Sequence, residues 1–341
     1  MRIFCFVLVF FCFFLAGCPG KPPAGEQVTE FVLGTFCSVT LYEGAKKEIF
    51  SRIFSRLREI DDEMSANKEG SVLDQINKNA GEKPTPVRPE LMAVLEKALY
   101  YARMSSGAFD PAIGPLVKLW DINSNAGAHN PQVPAEEKIK EALALVDWRD
   151  LELDKTAGTA FLKRPGMALD LGAIAKGYAA DEAARIIREA GLKRALINLG
   201  GNIMVVGARA AAKAGSPWRI GVQDPANSRG AYLGVLEIRD TSVVTSGVYE
   251  RFFEAGGKRY HHILSTETGF PVDNGLLSVT IITGSSIDAD ALSTMVFALG
   301  YEKGLELIDS IDGAEAVFVF DDKKLRLSAG AEKIFTLAFD Q

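Results

Sequence analysis

Met1 to Cys18 decides where this chain folds and with what covalent help. Arg2 is a minimal positive head, Ile3 to Leu15 is an unbroken apolar run, and the small residues Ala16 and Gly17 precede Cys18. A spanning helix needs about 20 apolar residues, so the run has the length of a secretory signal rather than of a membrane anchor. That fixes the cysteine inventory. Cys5 and Cys12 leave with the signal, Cys18 opens what remains, and Cys37 is the only other cysteine of the four. One spare thiol makes no disulfide, so the fold rests on an ordinary apolar core. Hydrophobic residues at 48% and charged residues at 24% are adequate for one.

Leu15-Ala16-Gly17-Cys18 resembles the lipobox of bacterial lipoproteins, in which the cysteine takes a diacylglyceryl group and cleavage precedes it. Residues 1–17 then form a lipoprotein signal peptide and Cys18 is the lipidation site. The Pro/Gly-rich run Pro19 to Gln27 lacks apolar periodicity, so residues 18–28 read as a flexible tether and 29–341 as the folded domain. Pro19 stands where some bacterial lipoproteins carry an Asp for inner-membrane retention. The expected location is the periplasmic face of the inner membrane, with the outer membrane as the other destination. The net charge is −6. An acidic chain lacks the basic stripe that nucleic acid requires, so DNA and RNA are excluded as partners.

The 341 residues suit one large domain or two modest ones. Thr29 to Tyr42 is rich in β-branched and aromatic residues and is predicted as a strand. Ala45 to Met64 carries Ile49, Ile53, Leu57, Ile60 and Met64 at helical spacing. Helices are also predicted over Ser71–Lys78, Pro89–Ser105, Ala135–Val146, Ala175–Ala190, Asp288–Leu299 and Tyr301–Ile308. Asp121 to Pro134 reads as a polar insertion. Strands are predicted near residues 151–153, 161–163, 167–171, 196–206, 218–222, 234–238, 242–254, 277–282, 316–320 and 325–327. Helices and antiparallel-looking strands alternate without a βαβ rhythm, which makes the fold class α+β, mainly antiparallel strands with packed helices.

Four stretches carry more than packing needs. Asp170 to Tyr178 runs from a strand end through a Gly turn into a helix. The N–H groups of a helix start attract phosphate, and Lys176 adds charge beside them; a capped turn with a solvated lysine is the alternative. In Asp288 to Thr294, Asp290 and Thr294 stand at i and i+4, so a carboxylate and a hydroxyl share one helix face, a pair suited to Mg²⁺. Asp288 is a candidate N-cap there. His261 and His262 are adjacent and face opposite ways on a strand, so they do not chelate together; one can face a site while the other packs or meets solvent. Asn198 to Asn202, with Gly200-Gly201, reads as a tight turn between apolar strands.

These stretches together resemble the ApbE-like flavin transferases, the FAD:protein FMN transferases of bacterial envelopes. The resemblance runs from Leu33-Gly34-Thr35 to Thr294 and includes Asp62 to Ser65, Gly107 to Pro111, Asp170 to Asp181, Asn198 to Asn202, Ser246-Gly247 and His262-Ile263. It implies an ApbE-type catalytic domain over 29–341. The family cleaves the FAD pyrophosphate with Mg²⁺, transfers FMN to a Thr hydroxyl of a target protein and releases AMP. The implied partners are FAD, acceptor flavoprotein subunits of membrane electron-transport complexes, and the membrane through the lipid anchor. Position-matching implies Asp290, Thr294 and the Ala173 carbonyl as metal ligands. It implies Leu33, Asn67, Ala108, Phe109, Asp110, Asp170, Lys176 and Ile263 as cofactor contacts, and His262 as the base that takes the incoming Thr proton.

Three departures from the family pattern stand out. Leu33 replaces a Met common in relatives, Ser265-Thr266 replaces Asp-Pro, and Asn67 occupies a position where many relatives carry a Tyr that stacks on the cofactor. Asn at this position resembles a subgroup that hydrolyses FAD to FMN and AMP, so an FAD pyrophosphatase is the rival activity. A flavin carrier without catalysis is a third reading, and the presence of Asp290 and Thr294 argues against it.

Overall fold

The computed structural model describes residues 25–209, 215–227 and 230–338. The signal segment and Cys18 lie outside the described residues. The chain enters through β1 (Glu26–Val32) and β2 (Thr35–Leu41). It then forms α1 (Lys47–Met64), α2 (Val72–Lys78), β3 (Thr85–Pro86), α3 (Pro89–Met104), α4 (Gly114–Trp120), α5 (Ile122–Ala126), α6 (Glu136–Leu143), β4 (Leu151–Asp154), β5 (Thr159–Leu162) and α7 (Ala175–Glu189). The second half holds β6 (Ala195–Leu199), β7 (Asn202–Val206), β8 (Trp218–Gln223), β9 (Tyr232–Ile238), β10 (Ser242–Gly247), β11 (Phe252–Ala255), β12 (Lys258–His261) and β13 (Leu276–Thr283). It closes with α8 (Ser286–Leu299), α9 (Tyr301–Asp309), β14 (Glu315–Phe320), β15 (Leu325–Leu327) and β16 (Phe335–Leu337).

Eight strands make one sheet in the order β1-β2-β6-β7-β10-β13-β14-β15. Every neighbouring pair in it is antiparallel. The pleat divides its side chains into two cores. Val39, Ile197, Met204, Val244, Ile281 and Phe318 face α1, α3, α7 and α8 in the larger core. Val205, Val243, Ile282 and Val317 face the other way, onto Trp218, Ile220 and Leu236 of the three-stranded sheet β16-β9-β8. A third cluster surrounds the fully buried Trp120, packed by Phe253, Tyr260 and Phe270, whose Nε1 donates to the Gly269 carbonyl at 2.8 Å. The α+β reading and the inward face predicted for α1 agree with this architecture, and α3 forms where a helix is predicted.

Several local expectations need correction. Thr29 to Tyr42 is a hairpin, not one strand. Its turn is Leu33-Gly34 at φ 56° and 68°, the left-handed pair that matches strand twist. A leucine in that position hides the turn inside an apolar run. β1 also begins at Glu26, so the last residues read as tether are paired: Glu26 with Leu41 and Val28 with Val39. Met167 to Leu171 is not in a ladder. Leu169 donates to Asn77 Oδ1 at 2.6 Å, Ala168 makes an isolated bridge to Ile113, and Asp170 donates its N–H to the Pro111 carbonyl at 2.9 Å. Its alternating burial imitates a strand although no strand lies beside it. Residues 196–206 and 242–254 each break into two strands, and α5 lies inside the supposed insertion.

Candidate active site

The turns Leu33-Gly34 and Gly200-Gly201 and the C-terminal end of β10 all lie at one end of the main sheet, as its registers require. α8 runs along β10 toward that end. Ser242 Oγ bonds Ser286 Oγ at 2.9 Å at one extreme, and Ser246 Oγ meets Ser293 Oγ at 2.9 Å and Thr294 Oγ1 at 3.3 Å at the other. Thr294 and, one turn earlier, Asp290 are thereby brought to the open end.

α7 reaches the same place with its N-terminus. Gly177 is what lets it approach: a Cβ there would lie 2.3 Å from the Ser286 carbonyl oxygen and 2.7 Å from Asp290 Cβ. The close crossing places the Gly177 N–H 2.9 Å from Asp290 Oδ2. Lys176 Nζ donates to the Gly172 carbonyl at 2.9 Å and stands 3.8 Å from Asp290 Oδ1. Asp170 folds back to accept the Gly172 N–H at 2.7 Å, shaping the turn that holds half-buried Ala173. A second carboxylate joins the helices. Asp181 of α7 accepts the N–H groups of Ser286 and Ile287 at 2.8 and 2.9 Å, satisfying orphan donors at the start of α8. Burial raises the Asp181 pKa above the usual carboxylate value. Asp288 is not the N-cap expected from the sequence. Ser285 caps α8, and Asp288 ties it to α3 by accepting from Tyr101 Oη and Lys97 Nζ, both at 2.7 Å.

Asp290 is 4% exposed. A buried carboxylate with one oxygen on a backbone N–H and the other facing an ammonium beyond hydrogen-bond distance has capacity left for a cation. Thr294, one turn along α8, presents a hydroxyl on the same helix face, and a carboxylate with a hydroxyl suits a hard dication that keeps several waters. No three His, Cys, Asp or Glu side chains converge among the described residues.

The two histidines separate: His261 ends β12 and His262 lies in the bend just after it. His261 turns inward against Phe297, its Nε2 2.9 Å from the Val272 carbonyl and its Nδ1 3.3 Å from the Ile263 N–H. Both ring nitrogens are thus used in packing, and burial lowers its pKa. His262 N–H donates to the Arg251 carbonyl at 3.1 Å, and Nδ1 lies 3.2 Å from the same oxygen. A carbonyl accepts only, so Nδ1 carries the proton and Nε2 keeps its lone pair. Burial, with the positive charges of Arg251 and Lys176 nearby, holds the His262 pKa well below the usual imidazole value, partly offset by the carbonyl contact. A neutral base therefore stands in the field of Lys176.

The remaining candidates are placed less directly. Asp110 is buried and spends its carboxylate on the Ala112 and Trp148 N–H groups at 2.7 and 2.9 Å, and burial pushes its pKa up to about 6. Phe109 is buried against Tyr101, with its N–H on Ser105 Oγ at 2.9 Å. Of this trio only Ala108 is half-exposed, and its N–H donates to the Ser105 carbonyl at 3.2 Å. The loop is joined to the segment after Ile263 by Thr266 Oγ1 donating to the Gly107 carbonyl at 2.8 Å. Ile263 is buried and its carbonyl accepts the Val272 N–H at 2.9 Å. Leu33 packs half-buried on the larger core. Asn67 is exposed in the loop after α1, its N–H 3.4 Å from Ser65 Oγ. The residues that reasoning from side chains missed are Gly177 and Asp181, which act through close approach and backbone capping.

A match to the ApbE family covers residues 33–318. The chain belongs to the ApbE family. It is 40% identical to the FAD:protein FMN transferase of Treponema pallidum (strain Nichols) over 331 residues, 93% of this chain and 90% of the relative. It is 31% identical to the FAD:protein FMN transferase of Escherichia coli (strain K12), over 86% of each. Among solved structures, the ApbE protein of Thermotoga maritima superposes with a TM-score of 0.81 at 31% identity, covering 91% of this chain and 99% of that one. The flavin transferase ApbE of Vibrio cholerae superposes at 0.78 with 27% identity, over 91% and 99%.

Proposed function

We propose that this protein is an FAD:protein FMN transferase. The observation that carries the reading is the junction of α7 and α8. There the buried Asp290 accepts the Gly177 N–H and faces Lys176 at the start of α7, with Thr294 one helical turn along α8, in a chain 40% identical to a protein of that name. Oxygen donors from Asp290, Thr294 and Ala173 would hold Mg²⁺, which when bound supplies charge neutralisation on the diphosphate. Lys176 and the α7 N-terminus bind and orient the diphosphate. His262 Nε2 accepts the proton of the acceptor Thr hydroxyl as its oxygen bonds the FMN phosphorus, and the P–O bond to AMP breaks. Positioning supplies most of the rest of the acceleration.

The same proposal includes a lipid on Cys18, a short tether to β1, a periplasm-facing membrane location and acceptor subunits of electron-transport complexes. It rests on the signal-like residues 1–18 and on the family. Asn67 is the observation behind FAD hydrolysis as a rival, but the named relatives are transferases.

The test incubates the full chain with FAD, Mg²⁺ and a flavoprotein subunit bearing an acceptor Thr. In-gel flavin fluorescence on that subunit with AMP release is expected, and both should be lost with EDTA or in Asp290→Ala. AMP and free FMN with an unlabelled acceptor would overturn transfer in favour of hydrolysis.

A further inference from the structure

Asn202 opens β7 directly after the Gly200-Gly201 turn. It is 4% exposed, and its Nδ2 has no hydrogen-bond partner. Buried polar side chains are nearly always paired, so an orphaned carboxamide needs a reason. Its direction supplies one. Asn202 pairs with Leu199 and shares the pleat with Met204 and Val206, all three in the helix-side core, so its side chain projects toward α7 and α8. β7 meets β10 through Met204↔Ser242 and Ile203↔Val243. Continuing that register sets Asn202 opposite Val244 and diagonal to Ser246, whose hydroxyl touches Thr294. The turn before it is fixed. The Gly201 N–H donates to Asn198 Oδ1 at 2.9 Å, and a Cβ on Gly200 would strike Thr35 at 2.6 Å.

We infer that the Asn202 carboxamide is a substrate-binding group that donates to a phosphate oxygen of the bound dinucleotide. The inference rests on the proposed transferase reading. Rotation about the Cβ–Cγ bond exchanges the oxygen and nitrogen ends of the amide without moving β7, so a ligand can recruit the unpaired donor. The unpaired state without substrate is a local cost kept for binding, as binding sites often show.

The experiment measures binding of FAD, ADP and riboflavin by calorimetry, with EDTA present, to the full chain and to Asn202→Ala, Asn202→Leu and Asn202→Asp. Losing a hydrogen bond to an anionic oxygen should weaken FAD and ADP about tenfold or more. Asn202→Asp should be weaker still, and riboflavin, which has no phosphate, should be unchanged. Asn202→Leu should melt at or above the wild-type temperature, because it removes an orphaned polar group. FAD and ADP affinities within about twofold of wild type, or an equal loss for riboflavin, would overturn the inference. So would a lowered melting temperature with binding intact, the signature of a structural amide bridged by water. If the wild type binds ADP but not FAD, the transferase reading fails while Asn202 is still judged on ADP. If it binds neither, both fail.

Discussion

The main-chain N–H of Gly177 donates to Oδ2 of Asp290 across 2.9 Å, fastening α7 to α8 at a buried carboxylate. The contact exists because residue 177 has no side chain. Gly177→Ala brings two effects of opposite sign. Alanine favours a helix interior over glycine by about 1 kcal/mol. Its Cβ would meet a backbone oxygen at 2.3 Å, which no rotamer change relieves. Overpacking of this kind costs about 1–3 kcal/mol, so the clash wins. The variant should melt a few degrees lower by calorimetry and release AMP from FAD far more slowly, because Asp290 moves with α8.

Asp181 should behave as a positioning residue. Its carboxylate serves the Ser286 and Ile287 N–H groups, and Asp181→Ala leaves both donors buried without an acceptor. The expected loss is about 1–3 kcal/mol of stability, read from urea denaturation. Asp181→Asn keeps one acceptor oxygen and should fall between. If Asp181 touched substrate instead, FAD affinity would fall in Asp181→Asn with little change in the denaturation midpoint.

These two residues show what was legible in the sequence and what was not. The i, i+4 relation of Asp290 and Thr294 was readable because helical spacing is a local property. The amphipathic face of α1 was readable for the same reason. That Lys176 and Asp290 meet was not readable, since it depends on two helices crossing at a glycine more than a hundred residues from its partner. Asp181 looked like an ordinary charged helix residue, although its work is to cap a different helix. The Leu33-Gly34 turn was hidden because a leucine holds a left-handed conformation that sequence rules assign to Gly or Asn. Residues 167–171 looked like a strand because apolar residues alternate there, while their outward hydrogen bonds go to Asn77 and to the short segment 111–114 rather than to a strand.

Asp110 illustrates a position-matched contact whose side chain has another occupation. Its two oxygens hold the Ala112 and Trp148 N–H groups, closing the loop that carries Ala108. Asp110→Asn offers a single acceptor oxygen, so one of those N–H groups is orphaned at a cost of about 1–3 kcal/mol. The midpoint of thermal unfolding should drop, and FAD affinity should follow only as far as the loop loosens. A large loss of FAD affinity with an unchanged midpoint would instead make the carboxylate a direct ligand.

His262 gives the pH prediction. Burial and the charges of Arg251 and Lys176 hold its folded pKa well below 6.5, and His261 is lowered by burial in the same direction. In the unfolded chain both imidazoles take up a proton near 6.5, so below that pH the unfolded state binds more protons than the folded one. Their contribution to stability is complete above about pH 6.5 and is lost as the pH falls toward the folded values. Asp110 works against this, because a carboxyl raised to about 6 contributes stability that is lost as the pH rises through that value. The difference between wild type and His262→Gln, measured as melting temperature from pH 5 to 8, isolates the imidazole: the variant should lose less on the acid side. FMN transfer should stay level between pH 6.5 and 8 with respect to this base, its acid limb falling lower. An acid limb centred near pH 7 that vanished in His262→Gln would show an imidazole with an ordinary pKa, and the depression by desolvation and neighbouring positive charge would be wrong.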